Sequence, residues 1–267
     1  MDEGDPLVLV DEQGAVARLK LNRAHAGNAL ALPLIEALEA AFAALAPRQD
    51  IKVIVVQGAG GRIFCAGHDL GEFHAVLGEG DTPDEAYLTR DFAAVTALMH
   101  AIMAQPQIVI AKVAGVATAA GCELVAACDL ALAADDARFA VPGVNIGFWC
   151  HTPQVQLIRA AGAKHAMLML ATGRLFPAAH ALEIGLVNAL HPPEDLAGAV
   201  DALAAEIAVK PPSVLRQGKS SFNRIAGKGV ADAYAAARDA ALANILHPDA
   251  REGIAAFIEK RDPRWAS

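Results

Sequence analysis

Glu123 is the carboxylate of this chain with the best surroundings for proton transfer. It follows a run of small residues, 119–122 (AAGC), which comes shortly after the apolar, β-branched stretch Ile108–Val113. Small residues let the backbone approach a ligand closely, and the free N–H groups at a helix N-terminus favour developing negative charge. The segment therefore predicts a helix start that holds an anion beside Glu123. Ordinary packing of a strand against a helix would use the same residue types.

A second loop of small residues, 65–69 (CAGHD), also precedes a predicted helix start. If the two loops met, one backbone N–H from each would form an oxyanion hole, which stabilises negative charge on an acyl carbonyl oxygen. The spacing alone leaves open whether they meet.

The commoner cofactor patterns are missing. The run 58–61 (GAGG) follows a predicted strand, but Ile63 stands where the dinucleotide fingerprint needs a third glycine, so a nicotinamide oxidoreductase is a disfavoured alternative. His68 and His74 flank two acidic residues, yet none of the nine histidines forms H-x-H or H-E-x-x-H. We therefore expect no metal.

Composition and charge exclude other classes. The 267 residues are 55% hydrophobic and 19% charged, as in a globular protein, and 22 basic against 30 acidic residues give a net charge of −8. Without a basic tract, no nucleic-acid partner is expected. Lys112, Glu123 and Asp129 interrupt the most apolar stretch, so no membrane span is expected either. The acidic start lacks the pattern of a secretory signal, and we expect a cytoplasmic protein with four reduced cysteines.

The hydrophobic periodicity places strands first and helices last, which predicts an α/β fold. We expect an α/β core over residues 1–190 and a helical C-terminal region over 191–267, in one folding unit. The polar stretch 78–85 is expected to be an exposed loop. Strands are predicted at about 8–10, 15–21, 51–57, 108–113 and 130–133. The chain from 151 onward is predicted to be almost entirely helical, at about 152–172, 177–185, 195–208, 212–226, 230–246 and 248–260.

Four ordered segments, spread over the chain, resemble the crotonase (enoyl-CoA hydratase/isomerase) superfamily. Their spread makes the resemblance more specific than any single motif. The segments are LNR (21–23) with NAL (28–30), FCAGHDL (64–70), AKVAG (111–115) with GCEL (121–124) and CDL (128–130), and EG (252–253) with FIEKR (257–261).

The resemblance implies a spiral of β-β-α turns followed by a helical trimerisation region, assembled as a trimer or a dimer of trimers. The implied substrate is an acyl-CoA thioester, with coenzyme A as part of the substrate and no tightly bound cofactor. The implied oxyanion hole is formed by the backbone N–H groups of His68 and Ala120, beside Glu123 as catalytic acid/base. Lys260 would reach the coenzyme A phosphates, and the implied substrate-binding residues are Ala66, Gly67, His68, Asp69, Leu70, Gly121 and Lys260.

One departure from the family pattern bears on the reaction. The family segment F-x-x-P-E, which carries a second catalytic glutamate, here ends in Gly143. Hydration of 2-enoyl-CoA is the expected activity, with His151 (or its neighbour Cys150) as a candidate second acid/base. The alternatives are an enoyl-CoA isomerase that uses Glu123 alone and a non-catalytic acyl-CoA-binding homologue.

Overall fold

A computed structural model describes residues 5–78 and 83–266 of the chain. Its strands form two sheets, one of six strands in the order β1-β2-β3-β5-β7-β10 and one of four in the order β4-β6-β8-β9. The strands are β1 Val8–Gln13, β2 Val16–Leu21, β3 Val53–Gly58, β4 Ile63–Cys65, β5 Ile108–Val113, β6 Val116–Thr118, β7 Leu130–Ala134, β8 Arg138–Ala140, β9 Phe176–Pro177 and β10 Ala189–His191.

The helices cover both sheets and then continue alone towards the C-terminus. They are α1 Leu32–Leu45, α2 Leu70–Leu77, α3 Glu85–Ala104, α4 Ala120–Ala127, α5 Pro153–Ala161, α6 Ala163–Thr172, α7 Ala178–Glu183, α8 Leu196–Ala208, α9 Pro212–Ile225, α10 Val230–Ile245 and α11 Pro248–Glu259.

The two sheets share a repeated connection that creates the spiral. Each of β3, β5 and β7 in the large sheet is followed within a few residues by a short strand of the small sheet, and then by a helix. The neighbouring strands β3, β5 and β7 are parallel, as are β4, β6 and β8. Because equivalent turns stack in parallel, the loops after β4 and β6 lie side by side. The predicted α/β spiral of β-β-α turns with C-terminal helices is thereby confirmed.

The structure also departs from the predicted elements. The hairpin β1–β2 turns on Gly14 and Ala15 rather than on a four-residue loop, because Gly14 adopts a φ of +58° that a tight turn needs. Gly162, with a φ of +77°, divides the predicted helix 152–172 into α5 and α6. The prediction of a helical chain after residue 151 misses β9 and β10, which are too short to show a period. In the predicted loop 78–85, residues 79–82 lie outside the described residues.

A buried ion pair fixes α9 to the spiral. Lys219 Nζ lies 2.6 Å from Asp129 Oδ2 and donates hydrogen bonds to the carbonyl oxygens of Ile102 and Gln107. Asp129 also accepts a hydrogen bond from the backbone N–H of Val109. One side chain of the C-terminal helices thus bridges the end of α3 and the start of two strands.

We expect Lys219→Met to destabilise the protein by about 3–5 kcal/mol, because it leaves the Asp129 carboxylate buried without its cation. Urea denaturation measures the change. The matched control is Lys228→Met, which removes an exposed lysine after α9 and should change stability by less than about 0.5 kcal/mol. Equal midpoints for the two variants would contradict the bridging role of Lys219.

Among the helices of the described residues, none combines the length and the hydropathy that crossing a bilayer requires.

Candidate active site

The two loops of small residues are in direct contact. Gly67 follows β4 with a φ of +88°, and a Cβ added there would lie 2.7 Å from Ala119 Cβ and 3.1 Å from the backbone N of Ala120. The Thr118 hydroxyl donates a hydrogen bond of 2.9 Å to the Ala66 carbonyl, which ties β6 to the first loop. Only a residue without a side chain allows the backbones to approach this closely.

Two backbone N–H groups at this contact are free. Ala120 is the first residue of α4, so its N–H has no acceptor within the helix. Neither the His68 amide nor the Ala120 amide donates a hydrogen bond within residues 5–78 and 83–266. Ala119 adopts a φ of +51°, which costs roughly 1–3 kcal/mol in a residue with a side chain. The strained residue lies where the chain turns into α4, and its conformation sets the direction of the Ala120 N–H.

A cavity of about 410 Å³ opens beside these amides. Five residues predicted for the site lie on its wall, namely Ala66, His68, Leu70, Ala120 and His151. The rest of the wall is mostly apolar and includes Phe73, Phe92, Ala119, Pro142, Gly143, Asn145, Ile146, Phe148, Cys150, Thr152 and Pro153. Such a wall suits an acyl chain more than a charged group.

Other predicted site residues lie off this wall. The carboxylate of Asp69 caps α2 by accepting a hydrogen bond from the Gly71 N–H, and it pairs with Arg23 at 2.6 Å. Gly121 packs α4 against β4, because a Cβ there would lie 2.2 Å from the Cys65 carbonyl oxygen. Lys260 is an exposed residue at the end of α11, with a φ of +56°.

Glu123 lies in the first turn of α4, just behind the wall. Its side chain is buried, and burial raises its pKa to about 7 despite a hydrogen bond with Thr152. Its Oε2 has no hydrogen-bond partner within the described part of the chain. Since Thr152 lines the cavity, Glu123 approaches the cavity at that point. A carboxyl group with a pKa near neutrality can both give and take a proton.

Position 143 has no room for a side chain. A Cβ on Gly143 would lie 2.1 Å from the Phe148 carbonyl oxygen and 2.8 Å from Cys150 Sγ. The turn before α5 therefore occupies the space that a side chain at position 143 would need. Burial raises the pKa of the Cys150 thiol, which favours its protonated form. His151 is exposed at the rim, with its ring 6.4 Å from that of Phe148.

Sequence analysis identified neither Thr152 nor Asp91 as part of the site. Thr152 contacts Glu123, and Asp91 Oδ2 lies 3.2 Å from His68 Nε2 in the interior. Asp91 sits in the middle of α3 among apolar neighbours, so a charged residue on the buried face of that helix is the signal that could have indicated it. Within the described residues, no group of three or more potential metal ligands occurs.

Paired free amides beside a buried carboxyl and an apolar cavity are the arrangement expected of an enzyme that stabilises an enolate or oxyanion, and the two-sheet spiral is that of the crotonase fold. The comparison with known families reaches the same class. The model of the family described as "Enoyl-CoA hydratase/isomerase" matches residues 11–267. The chain belongs to the enoyl-CoA hydratase/isomerase family and is an enzyme of that lyase or isomerase type.

Individual relatives extend over nearly the whole chain. It is 39% identical over 260 residues to the mitochondrial enoyl-CoA hydratase domain-containing protein 3 of Xenopus laevis, covering 97% of this chain and 86% of the relative. The crystal structure of an enoyl-CoA hydratase from Mycobacterium smegmatis superposes with a TM-score of 0.93 at 42% identity, over 98% of this chain and 100% of that one. The structure of human enoyl-CoA hydratase domain-containing protein 3 gives a TM-score of 0.91 at 35% identity, over 97% and 100%.

The expected cytoplasmic location is wrong on this comparison. Similar curated relatives from Xenopus laevis, Danio rerio and Homo sapiens, at 36–39% identity, are all named mitochondrial proteins.

Proposed function

We propose that this enzyme adds water across the double bond of 2-enoyl-CoA thioesters. The observation that carries the proposal is the pair of free backbone amides, of His68 and Ala120, at the wall of an apolar cavity backed by Glu123. When water adds to Cβ, negative charge moves to the thioester oxygen, where two N–H donors stabilise it. Coenzyme A enters as part of the substrate, and Lys260 is its proposed phosphate contact.

Hydration needs two proton movements, one from the water and one to Cα. Glu123 supplies one of the groups, because its raised pKa keeps both protonation states accessible near neutral pH. The acyl chain would occupy the aromatic part of the cavity near Phe73, Phe92 and Phe148.

Isomerisation of 3-enoyl-CoA is a second candidate, favoured by the closed space at Gly143. A single carboxyl could carry one proton between Cα and Cγ without any second group. A protein that only binds acyl-CoA is the remaining alternative.

The test is to incubate the purified protein with 2-enoyl-CoA and with 3-enoyl-CoA in heavy water and to measure the masses of the products by mass spectrometry. We expect one heavy water to add to 2-enoyl-CoA, with one deuterium on carbon. Deuterium uptake without added water would instead support the isomerase. If neither substrate changes, a binding titration with both thioesters distinguishes two explanations. Tight binding would indicate a protein that only binds acyl-CoA, and weak binding would indicate that the substrate has a different acyl chain.

We also propose that the protein forms a homo-oligomer, a trimer or a dimer of trimers, through its C-terminal helices. Helix α10 buries none of its residues within the chain. Its exposed apolar side chains fall on one side of the helix, at the spacing of an interface. They are Val230, Tyr234, Leu242 and Ile245.

Light scattering after size exclusion tests the oligomer. The wild type should elute at three or six times the 27.7 kDa chain mass. The double substitution of Tyr234 and Leu242 by Glu should shift it towards one chain, because two charges would be buried between apolar surfaces. Asp232→Lys changes an exposed charge on the opposite side of α10 and should leave the mass unchanged. A monomeric wild type would refute the proposal.

A further inference from the structure

The acyl cavity contains one buried polar ring that the proposed function does not use, the imidazole of His68. Its Nε2 lies 3.2 Å from Asp91 Oδ2, and the two side chains are 9% and 1% exposed. The ring packs against Phe73 and Phe92, with centroids 5.2 and 5.6 Å away. Two aromatic side chains and one carboxylate therefore fix the orientation of the imidazole.

Burying the polar side chains of His68 and Asp91 destabilises the fold, unless the pair has a role in function. Within the described residues, His68 Nε2 and both carboxylate oxygens of Asp91 are buried without a well-formed hydrogen bond. Buried polar atoms usually find partners, and exceptions gather at functional sites. Burial raises the pKa of Asp91 to about 6, with Glu72 adding to the rise, and burial lowers the pKa of His68 to about 4.

At neutral pH these two pKa shifts leave Asp91 ionised and His68 uncharged. The carboxylate then favours the tautomer with its proton on Nε2, so that Nδ1 carries the lone pair. Nδ1 makes no hydrogen bond within the described residues, and the ring lines the cavity. The wall of this mostly apolar cavity thus includes a hydrogen-bond acceptor on an imidazole whose orientation is fixed.

The imidazole belongs to the same residue as one of the two amides of the proposed oxyanion hole. The backbone N–H of His68 is one of the two free amides proposed to bind the thioester oxygen, and its side chain lines the same cavity. The side chain and the amide of one residue are close together, so the imidazole lies near the proposed site of the thioester oxygen. The other imidazole on the wall, that of His151, does not belong to an oxyanion-hole residue and is exposed, with its ring 6.4 Å from that of Phe148.

We propose that His68 is a second catalytic residue of this enzyme, which takes the proton from the attacking water, and that Asp91 is its positioning residue. This inference rests on the proposed hydration. The proposal explains how water could be added although position 143 has no room for a glutamate. The second proton-transfer group would instead be His68, which follows β4, held by Asp91 on α3.

The proposed hydration needs only water, the thioester, His68 and Glu123. As the water oxygen bonds to Cβ, its proton passes to His68 Nδ1, and the double-bond electrons move to the thioester oxygen as an enolate. The enolate then collapses and Cα takes a proton from the Glu123 carboxyl, which gives the 3-hydroxyacyl thioester. Solvent carries the proton from the imidazolium back to the Glu123 carboxylate. Asp91 stabilises the imidazolium while it lasts, as the carboxylate does in a catalytic triad.

Several charged or titratable groups surround the pair and set its pH response. From α2, Glu72 interacts with Asp91, and from α3 the Tyr87 hydroxyl donates a 2.7 Å hydrogen bond to Glu72. Asp69, at the start of α2, is paired with Arg23. Glu123 and His151 approach the same cavity from α4 and from the segment before α5. Within the described residues, none of these other groups forms an ion pair or a hydrogen bond with His68 or Asp91.

The experiment measures hydration of 2-enoyl-CoA by wild type, His68→Gln, Asp91→Asn and the control His74→Gln over a range of pH. His74 is exposed on α2, and its substitution should change nothing. We expect His68→Gln, which keeps the backbone amide, to lower kcat by about 10²-fold or more with KM within a few-fold. The fall in wild-type kcat/KM at acid pH should disappear. Asp91→Asn should lower kcat and move that fall to lower pH.

Chemical rescue separates catalysis from structure. His68→Ala should regain part of its turnover when imidazole is added, because the vacated space can admit the free base. Unchanged kcat in His68→Gln, a loss in KM alone, or a loss of turnover seen only with His151→Gln would each overturn the inference. A wild type that never hydrates 2-enoyl-CoA would instead refute the proposed function, so the two failures are distinguishable.

Discussion

Replacing Glu123 by Gln should reduce turnover of 2-enoyl-CoA by about 10²–10⁴-fold while acyl-CoA binding changes only a few-fold. The amide has nearly the shape of the carboxyl and can keep the hydrogen bond with Thr152. The free amides of His68 and Ala120 are untouched, so the thioester should still bind. Steady-state kinetics and a binding titration with a saturated acyl-CoA measure the two quantities.

The same variant should change the pH profile. Burial raises the pKa of Glu123 to about 7, and a group that delivers a proton to Cα works only in its protonated form. On the alkaline side, wild-type kcat/KM should therefore fall as the pH rises through that pKa, separately from the acid-side fall assigned to His68 and Asp91. The remaining activity of Glu123→Gln should lack this fall.

Controls for this variant separate chemistry from folding. Glu206→Gln, on the exposed side of α8, should behave as the wild type. Glu123→Gln should melt no lower than the wild type at pH 8, because the fold no longer buries a group that ionises there. Turnover equal to wild type in Glu123→Gln would eliminate this carboxyl as the acid/base.

The two loops of small residues are the part of the site that the sequence could predict, although it left open whether they meet. Small residues after β4 and β6 carry a local signal, because only they permit a backbone to come close to a ligand or another backbone. The long β-branched runs of β3 and β5 and the periodic helices were predicted for the same reason, since burial determines their composition. The parallel stacking of β-β-α turns then brings the loops side by side.

The His68–Asp91 pair could not be predicted, because it joins residues from different elements that no local pattern links. Asp91 lies on a helix whose other buried residues are apolar, so its charge makes it unusual there, but nothing in α3 points to His68 as its partner. The closed turn at Gly143 was equally hidden. A missing glutamate in the sequence indicates lost chemistry, while only the packing of Phe148 and Cys150 shows that the space is filled.

Replacing Gly67 by Ala should lower kcat by about 10²–10³-fold, comparable to the loss of one oxyanion-hole donor. The new Cβ would lie 2.7 Å from Ala119 Cβ and 2.9 Å from the Thr118 carbonyl oxygen, so the loops must separate and the His68 and Ala120 amides must move apart. Gly61→Ala is the matched control, because its φ of +69° imposes similar backbone strain and its Cβ would meet no atom within 4 Å. Both variants should lose about 1–2 kcal/mol from strain, and only Gly67→Ala should lose turnover. Because the strain is shared, equal kcat values in the two variants would mean that the close approach of the loops does not position the oxyanion hole.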